Sequence, residues 1–416
     1  MNKLFSIIIL TTFIILTGIL FIFKTPASKD NEVVFWTLQM SDFAPYINGV
    51  IDEFEAQNPN VKIKWVDVPF SEGEKRTLAS VLSDNPPDLV NLNPDFSATL
   101  AHKGALYEMP QDKLEQFNSS ILSSLKYNDK VYSIPWYATS AITIYNKDLL
   151  MRAGVCVPKT YSQMSDIASV VKNRTGAYIM LPNITENDTM LKILNKYGVA
   201  NSYLLNSEKS AEVFEMFKYL YSKNLIPKET VTMTLQEALE KYMSGNIATI
   251  GAGANFLNMI RENAPSTYEK TDVAPYEKTD VAPQIVGELG QNDFSLMNFV
   301  IPLRAKHKEE ALEFALFLTN EKNQLELAKL TNVLAVNKIS LKNKFYTEYD
   351  KDDLMAKARV ISAKQLDKIQ PVYRTQKGQK DINNIINSAT QEILLDKASV
   401  QVILDKAAED WKNIEE

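Results

Sequence analysis

The sequence predicts an α/β chain built on parallel sheets, and three observations carry that reading. Short apolar, β-branched runs occur at residues 33–36 (VVFW), 61–68 (VKIKWVDV) and 88–92 (DLVNL). Stretches with helical apolar spacing separate them, so strand and helix alternate. Such alternation needs crossovers between successive strands, which makes the strands parallel and the crossovers right-handed. The chain has 416 residues, 45% hydrophobic and 23% charged, enough for two or three globular domains and unlike a disordered or coiled-coil chain.

Each element follows from its residues. The first helix is expected behind Ser41-Asp42 as N-cap, with Phe43, Ile47, Val50, Ile51 and Phe54 on one stripe; Asn58-Pro59-Asn60 ends it. Ser71 with Glu74 makes a capping box before a helix carrying Leu78 and Val81, which Pro86-Pro87 breaks. Two strand-like runs, 131–136 and 141–146, lie around Pro135. Val213, Phe214, Phe217, Leu220 and Tyr221 mark a helix, and Thr234 with Glu237 caps another. Residues 247–253 (IATIGAG) read as a strand running into a glycine loop. The last third is helical, at 308–318, 321–330 and in two amphipathic stretches between 379 and 411. An octapeptide, YEKTDVAP, occurs twice in tandem at 268–275 and 276–283 and is expected to form a tolerant surface loop without a functional role.

Composition narrows the function classes. A net charge of −6 argues against nucleic acid as a partner, since phosphate neutralisation needs a clustered basic surface. Cys156 is the sole cysteine, which excludes an intrachain disulfide, and it reads as a small buried hydrophobe. Only His102 and His307 are present, far apart, so no metal site and no cofactor is expected. Nucleophile-elbow, zinc-protease and phosphate-loop signatures are absent, and the chain does not read as an enzyme. Gly251-Ala252-Gly253 opens like a dinucleotide fingerprint, but Phe256 stands at the third small position. The acidic run Asp350 to Asp353 is a solvated turn, because Leu354 and Met355 occupy the next ligand and glycine positions of a calcium loop.

Residues 4–23 are apolar and uncharged between Lys3 and Lys24. About 20 such residues suffice to span a bilayer, whereas a secretory signal has an apolar stretch of about 7–15. Residues 1–28 are therefore expected to be a membrane anchor with the body outside, or a long cleavable signal; in both cases the rest of the chain is exported.

Aromatic and polar side chains recur together at strand ends. Trp36 is followed by Gln39 and Asp42; Asn93 and Asp95 lie just past the third run; Trp136 and Tyr137 adjoin Pro135; and Asn255 with Phe256 follow the glycine loop. In open α/β sheets ligands bind beyond the carboxyl ends of strands. A ring covers the apolar face of a sugar while Asp, Asn and Gln bond its hydroxyls. Each tryptophan alone also reads as core; the recurrence favours a binding site.

Residues 130–164 (KVYSIPWYATSAITIYNKDLLMRAGVCVPKTYSQM) resemble the central signature of the extracellular solute-binding proteins of ABC importers, family 1, which includes maltose- and other sugar-binding proteins. Tyr132, Pro135, Tyr145-Asn146-Lys147-Asp148-Leu149, Ala153-Gly154 and Pro158-Lys159-Thr160 match that pattern, with Tyr161 in place of its tryptophan. Residues 85–90, 104–108, 245–248, 317–324 and 334–338 match further segments in order, so the resemblance spans roughly residues 33–416. Two departures stand out. Ile19 follows Leu16-Thr17-Gly18 where a lipidated cysteine belongs, and residues 293–298 (DFSLMN) replace a glycine-rich stretch.

The resemblance implies a two-lobed periplasmic-binding-protein fold of type II, each lobe a mainly parallel sheet flanked by helices, joined by hinge strands. It places lobe I at 31–139 plus 299–338 and lobe II at 140–298 plus 339–416, with crossings near residues 138–141, 296–299 and 336–340. It implies a monomer that closes on a mono- or oligosaccharide and delivers it to ABC permease subunits with their ATPase. Ligand-facing positions carried over are Trp36, Gln39, Asp42, Asn93, Asp95, Trp136, Tyr137, Asn255, Phe256, Tyr373 and Arg374. Two alternatives stay open. One is a receptor for glycerol phosphate esters or another polar metabolite, with Arg374 as the anion contact; the other is a ligand sensor for a signalling partner.

Overall fold

The computed structural model describes residues 32–81, 83–180, 182–254, 256–268, 279–369, 378–395 and 398–415. The expected anchor or signal lies outside them. Among the described residues no helix is long and apolar enough to cross a membrane.

Strand β1 (Glu32–Leu38), helix α1 (Ala44–Gln57), β2 (Lys62–Val68), α2 (Phe70–Val81), β3 (Leu89–Leu92) and α3 (Pro94–His102) open the chain. A ribbon of β4 (Lys126–Tyr127) and β5 (Lys130–Val131) leads into the long β6 (Ile134–Asn146). Next come α4 (Lys147–Ala153), α5 (Tyr161–Thr175), β7 (Tyr178–Met180), α6 (Thr189–Asn195) and α7 (Glu208–Ser222). Then follow α8 (Leu235–Met243), β8 (Ile247–Gly253), α9 (Phe256–Asn263), β9 (Thr279–Ala282) and β10 (Phe294–Val300). Finally α10 (Lys308–Leu318), α11 (Glu321–Thr331), β11 (Leu334–Ala335), α12 (Leu354–Gln365), α13 (Gln379–Leu395) and α14 (Val400–Glu415) complete it.

The strands pair in the order β2-β1-β3-β10-β6-β8-β7, with β11 and β9 also on β6. As the alternating pattern requires, β1 runs parallel to β2 and β3, and β7 runs parallel to β8. Within this sheet the antiparallel pairs belong to β6 and β10, while β4 and β5 pair antiparallel apart from it. Strand β6 serves two sheets. Through Ser140 its partners are β10 and β11; from Ala141 onward they are β8 and β9. The changeover divides the molecule into its two lobes.

Each sheet is covered on both faces. Along β1, Val33 and Phe35 face one core while Val34, Trp36 and Leu38 face another, the period-two split of a strand buried on both sides. The first of these cores is aromatic. Phe314 of α10 lies 5.3 Å from Phe35 and 4.9 Å from Phe54, ring centre to ring centre. In the second lobe Ile179 and Ala248 join α7, α13 and α14, whereas Ile142, Ile144 and Ile250 pack with α8 and α12.

Several expectations are corrected. Ser41 and Asp42 do not cap α1: residues 41–43 form a 3-10 turn, and Phe43 precedes the helix without a side-chain cap. The Ser41 N–H donates instead to the Asp67 carboxylate at 2.9 Å, which holds the chain in the 3-10 turn ahead of the helix. The runs around Pro135 form one strand; a register shift at Met297/Asn298 leaves Trp136 without a partner in β10, next to the residue that lacks an N–H. Cys156 is exposed. It sits between Val155 and Val157, which pack on the core, so alternation in an extended link turns it outward. The second octapeptide copy is also less loop-like than expected, since Thr279–Ala282 is strand β9 with Thr279 and Val281 buried. Residues 269–278 lie outside the described residues, as do the side chains of the Ser71–Glu74 pair. By contrast, the Thr234–Glu237 capping box forms with both reciprocal bonds.

Phe314 is fully buried where three elements meet. Phe314→Ala is expected to cost about 3–5 kcal/mol in urea unfolding. A loss below about 1 kcal/mol would show that this cluster does not organise the first lobe.

Candidate functional site

Two cavities flank the β6 changeover, and Thr139, Ser140 and Gly253 line both. The first, about 430 Å³, lies at the carboxyl ends of β7 and β8, with Met180, Asn183, Phe256, Lys196 and Asp293 among its walls. The second, about 340 Å³, is shared between the lobes. Met40 and Phe43, just past β1, face Gly253, Ala254, Arg359 and Ser362, with Tyr137 between. Together they form a cleft where ligands of open α/β sheets bind.

The loop after β1 is built with care. Gln39 is in the left-handed region at φ 50°, a costly conformation for a side chain with a Cβ. Its N–H donates to Val68 O at 3.0 Å. The Asp67 carboxylate then accepts from the Met40 and Ser41 N–H groups, both at 2.9 Å, and from the Thr37 hydroxyl at 2.6 Å. Trp65 Nε1 donates to that same hydroxyl at 2.8 Å. Asp67 therefore holds the loop bearing Gln39 and Asp42. Its signal in the sequence is a lone carboxylate at the end of an alternating strand.

The candidate residues fall into three groups. Gln39, Asp42, Asn93 and Asp95 follow the carboxyl ends of the paired strands β1 and β3, at one rim of the sheet. Of these, Asn93 caps α3, its Oδ1 accepting the Phe96 N–H at 2.8 Å. Tyr137 lines the second cavity and Phe256 the first. Trp36 and Trp136 are core residues, 2% and 0% exposed, and line neither cavity. The Arg76 guanidinium lies over the Trp36 ring at 5.1 Å, and Trp136 packs on Phe299 at 4.6 Å. Asn255, Tyr373 and Arg374 lie outside the described residues.

Charges line the cleft unevenly. Lys196, buried, pairs with Asp293 at 2.7 Å and donates to Gln284 Oε1 at 3.0 Å and Ile285 O at 3.1 Å. Each ammonium hydrogen has an acceptor, as a buried cation requires. Asp293 stands in the stretch where glycines were expected. Gln365 of α12 completes the support. Its Nε2 donates to Ser140 Oγ at 2.7 Å and Ala141 O at 2.8 Å, and its Oε1 accepts the Gln284 N–H at 2.6 Å. Among the described residues no group of His, Cys, Asp and Glu is placed to hold a metal.

Burial pushes the Tyr137 hydroxyl up to about 12 and lowers the Arg359 guanidinium pKa, the latter partly offset by the fields of Asp353 and Tyr346. At neutral pH the cleft thus presents a neutral phenol and a cation. The set of rings, hydroxyls and amides suits a polar ligand with apolar faces.

A family model described as bacterial extracellular solute-binding protein matches residues 49–356, well over half of the chain. The diacetylchitobiose binding protein of Streptomyces coelicolor is 23% identical over 321 residues, 73% of each chain. A periplasmic-binding protein structure from Synechococcus sp. is 28% identical, with a TM-score of 0.79 over 92% of this chain and 98% of that one. A cyclo/maltodextrin-binding protein complexed with maltotetraose is 18% identical, with a TM-score of 0.75 over 94% and 98%. The two structures share the two-lobed fold described above.

Asp67→Ala should weaken whatever ligand the cleft binds by about tenfold and lower stability by about 2 kcal/mol, since it strands backbone donors that a carboxylate satisfied. Unchanged binding by calorimetry would remove the loop from the site. Tyr137 gives a pH test. Its folded pKa lies above the unfolded value of 10.0, so its contribution is complete below about pH 10 and is lost as pH rises toward 12. Wild type should therefore lose more unfolding free energy between those pH values than Tyr137→Phe.

Proposed function

The chain belongs to the bacterial extracellular solute-binding proteins, and from that premise we propose that it captures a carbohydrate between its lobes and delivers it to an ABC importer. The observation that carries this is the cleft itself. Tyr137, Phe43 and Phe256 supply apolar faces, and Thr139, Ser140 and Asn183 supply neutral hydrogen-bonding groups beside them. Relatives named for diacetylchitobiose and complexed with maltotetraose support the substrate class.

The ligand contacts we assign are Tyr137 and Phe256, with Gln39, Asp42, Asn93 and Asp95 at the rim. Asn255, Tyr373 and Arg374 join them by their place in the sequence. Trp36 and Trp136 support the strands that carry the site. We place the lobe division close to 31–139 plus 299–338 against 140–298 plus 339–416, the β6 changeover lying at Ser140 and Ala141. Phe294 and Leu296, at the start of β10, pack into the first lobe's core and mark how closely the lobes interleave at the hinge.

Capture would proceed by hinge rotation. A ligand touching both lobes binds the closed form better than the open one, and that difference sets the shift in population. The closed form would dock on permease subunits driven by their ATPase, with residues 4–23 keeping the receptor at the outer face of the membrane. The protein's location is extracytoplasmic, as its family is.

Thermal unfolding of the full-length protein in detergent against a panel of mono- and oligosaccharides tests the reading. A ligand at about 100 times its dissociation constant adds about 2.7 kcal/mol, a shift readily seen. A shift with one sugar series is expected. Stabilisation by amino acids, peptides or metal ions instead would overturn the carbohydrate assignment.

A further inference from the structure

Arg359 holds an unusual position among the cations of the cleft. It lines the cavity shared by the lobes, and among the described residues no Asp or Glu lines that cavity with it. Its guanidinium is fixed in place. Nε donates to Phe345 O at 2.7 Å, the plane lies 3.6 Å from the Phe345 ring centre, and Nη1 reaches Asn332 Oδ1 at 3.4 Å. A guanidinium has five N–H donors, so most of its capacity has no acceptor among the described residues. Lys196, by contrast, is matched by Asp293, Gln284 and Ile285. Beside Arg359, Ser362 is 4% exposed, lines the same cavity and has a hydroxyl without a partner among the described residues.

Asp353 only partly offsets the burial of this guanidinium, and a half-buried, rigid cation whose donors are mostly unmet is costly unless an anion arrives to meet them. Guanidinium geometry matches carboxylate and phosphate, taking two oxygens at once. We propose that the Arg359 end of the inter-lobe cleft is an anion subsite, so that the transported carbohydrate carries a carboxylate or a phosphate. Arg359 and Ser362 grip that group, with Tyr137 and Asn332 at its side. The inference rests on the cleft being the ligand site and narrows the substrate class within it. An acidic end group recognised across both lobes would also favour the closed form, since Met40 and Phe43 complete the cavity from the opposite lobe.

The test is calorimetry on the full-length protein in detergent with paired panels. Neutral gluco-, galacto- and xylo-oligosaccharides are set against uronate-bearing counterparts, with hexose phosphates, glycerol 3-phosphate and inorganic phosphate alongside. An acidic sugar should bind at least about tenfold more tightly than its neutral partner, and the advantage should shrink as salt is raised. Arg359→Gln should abolish that advantage. Arg359→Lys, which keeps the charge but not the fork, should retain part of it. The wild-type comparison and its salt dependence need no variant, so a folding defect in Arg359→Gln does not blunt the test.

The outcomes separate the claims. Neutral sugars binding as well as acidic ones, or an acid preference surviving Arg359→Gln, overturns the subsite and leaves the carbohydrate reading intact. Binding of phosphate and glycerol 3-phosphate without any sugar supports the subsite and overturns the carbohydrate reading. A preference for uronates over phosphates, or the reverse, identifies the anion. Silence across both panels overturns both proposals.

Discussion

Strand β6 has to satisfy two sheets at once, and the molecule is arranged around that constraint. Up to Ser140 its hydrogen bonds serve the first lobe and from Ala141 onward the second. At such a changeover the ladder on each side runs out, and a buried backbone group left without a partner is expensive. Gln365 meets the need by bonding Ser140 and Ala141 together and tying them to Gln284. Gln284 in turn accepts from the Asp293 N–H at 2.7 Å and from Lys196. A continuous chain of buried polar groups thus links α12, two connecting segments and the floor of the first cavity. Hydrogen-bonded networks of this kind favour one geometry, which a hinge between two rigid lobes requires.

The same region explains how the cleft is wired electrostatically. Asp293 enters the chain where the resemblance anticipated glycine, and it is used at once to neutralise a buried lysine. That pair is structural: removing one partner would strand the other charge in the interior. Arg359 stands in the neighbouring cavity without any such acid. Among the described residues, Lys196 and Arg359 of the cleft therefore play different parts, one sealed into the framework and one with donors to offer.

At the far rim the constraint is backbone shape. Gln39 must turn through the left-handed region so that the chain leaves β1 into the 3-10 turn of residues 41–43. Asp67, arriving from the next strand, supplies acceptors for the donors this turn exposes. A carboxylate thirty positions from its partner hydroxyl, with Thr37 and Asp67 paired in β1 and β2, does the work that a local cap was expected to do.

Much of the architecture was legible in the residues because local rules decide it. Period-two runs, helical stripes, proline stops and the Thr234–Glu237 box named strands and helices with nearly their observed bounds, for instance 247–253 and 308–318. The family resemblance, not a local rule, implied a lobe crossing near residues 138–141; β6 changes sheet partners between Ser140 and Ala141. The site was only partly legible. A tryptophan looks the same in sequence whether its ring faces a ligand or a core, and burial of Trp36 and Trp136 depends on Phe299, Val300 and other residues far along the chain. Cys156 misled for the same reason, since outward or inward alternation is set by what its neighbours pack against. The alternation of elements was fixed by local pattern, and the family by matched motifs in order along the chain. Which polar groups share the cleft, which charges are already paired and which cation is left over were decided only by the tertiary structure, because each depends on distances between segments 30 to more than 200 residues apart.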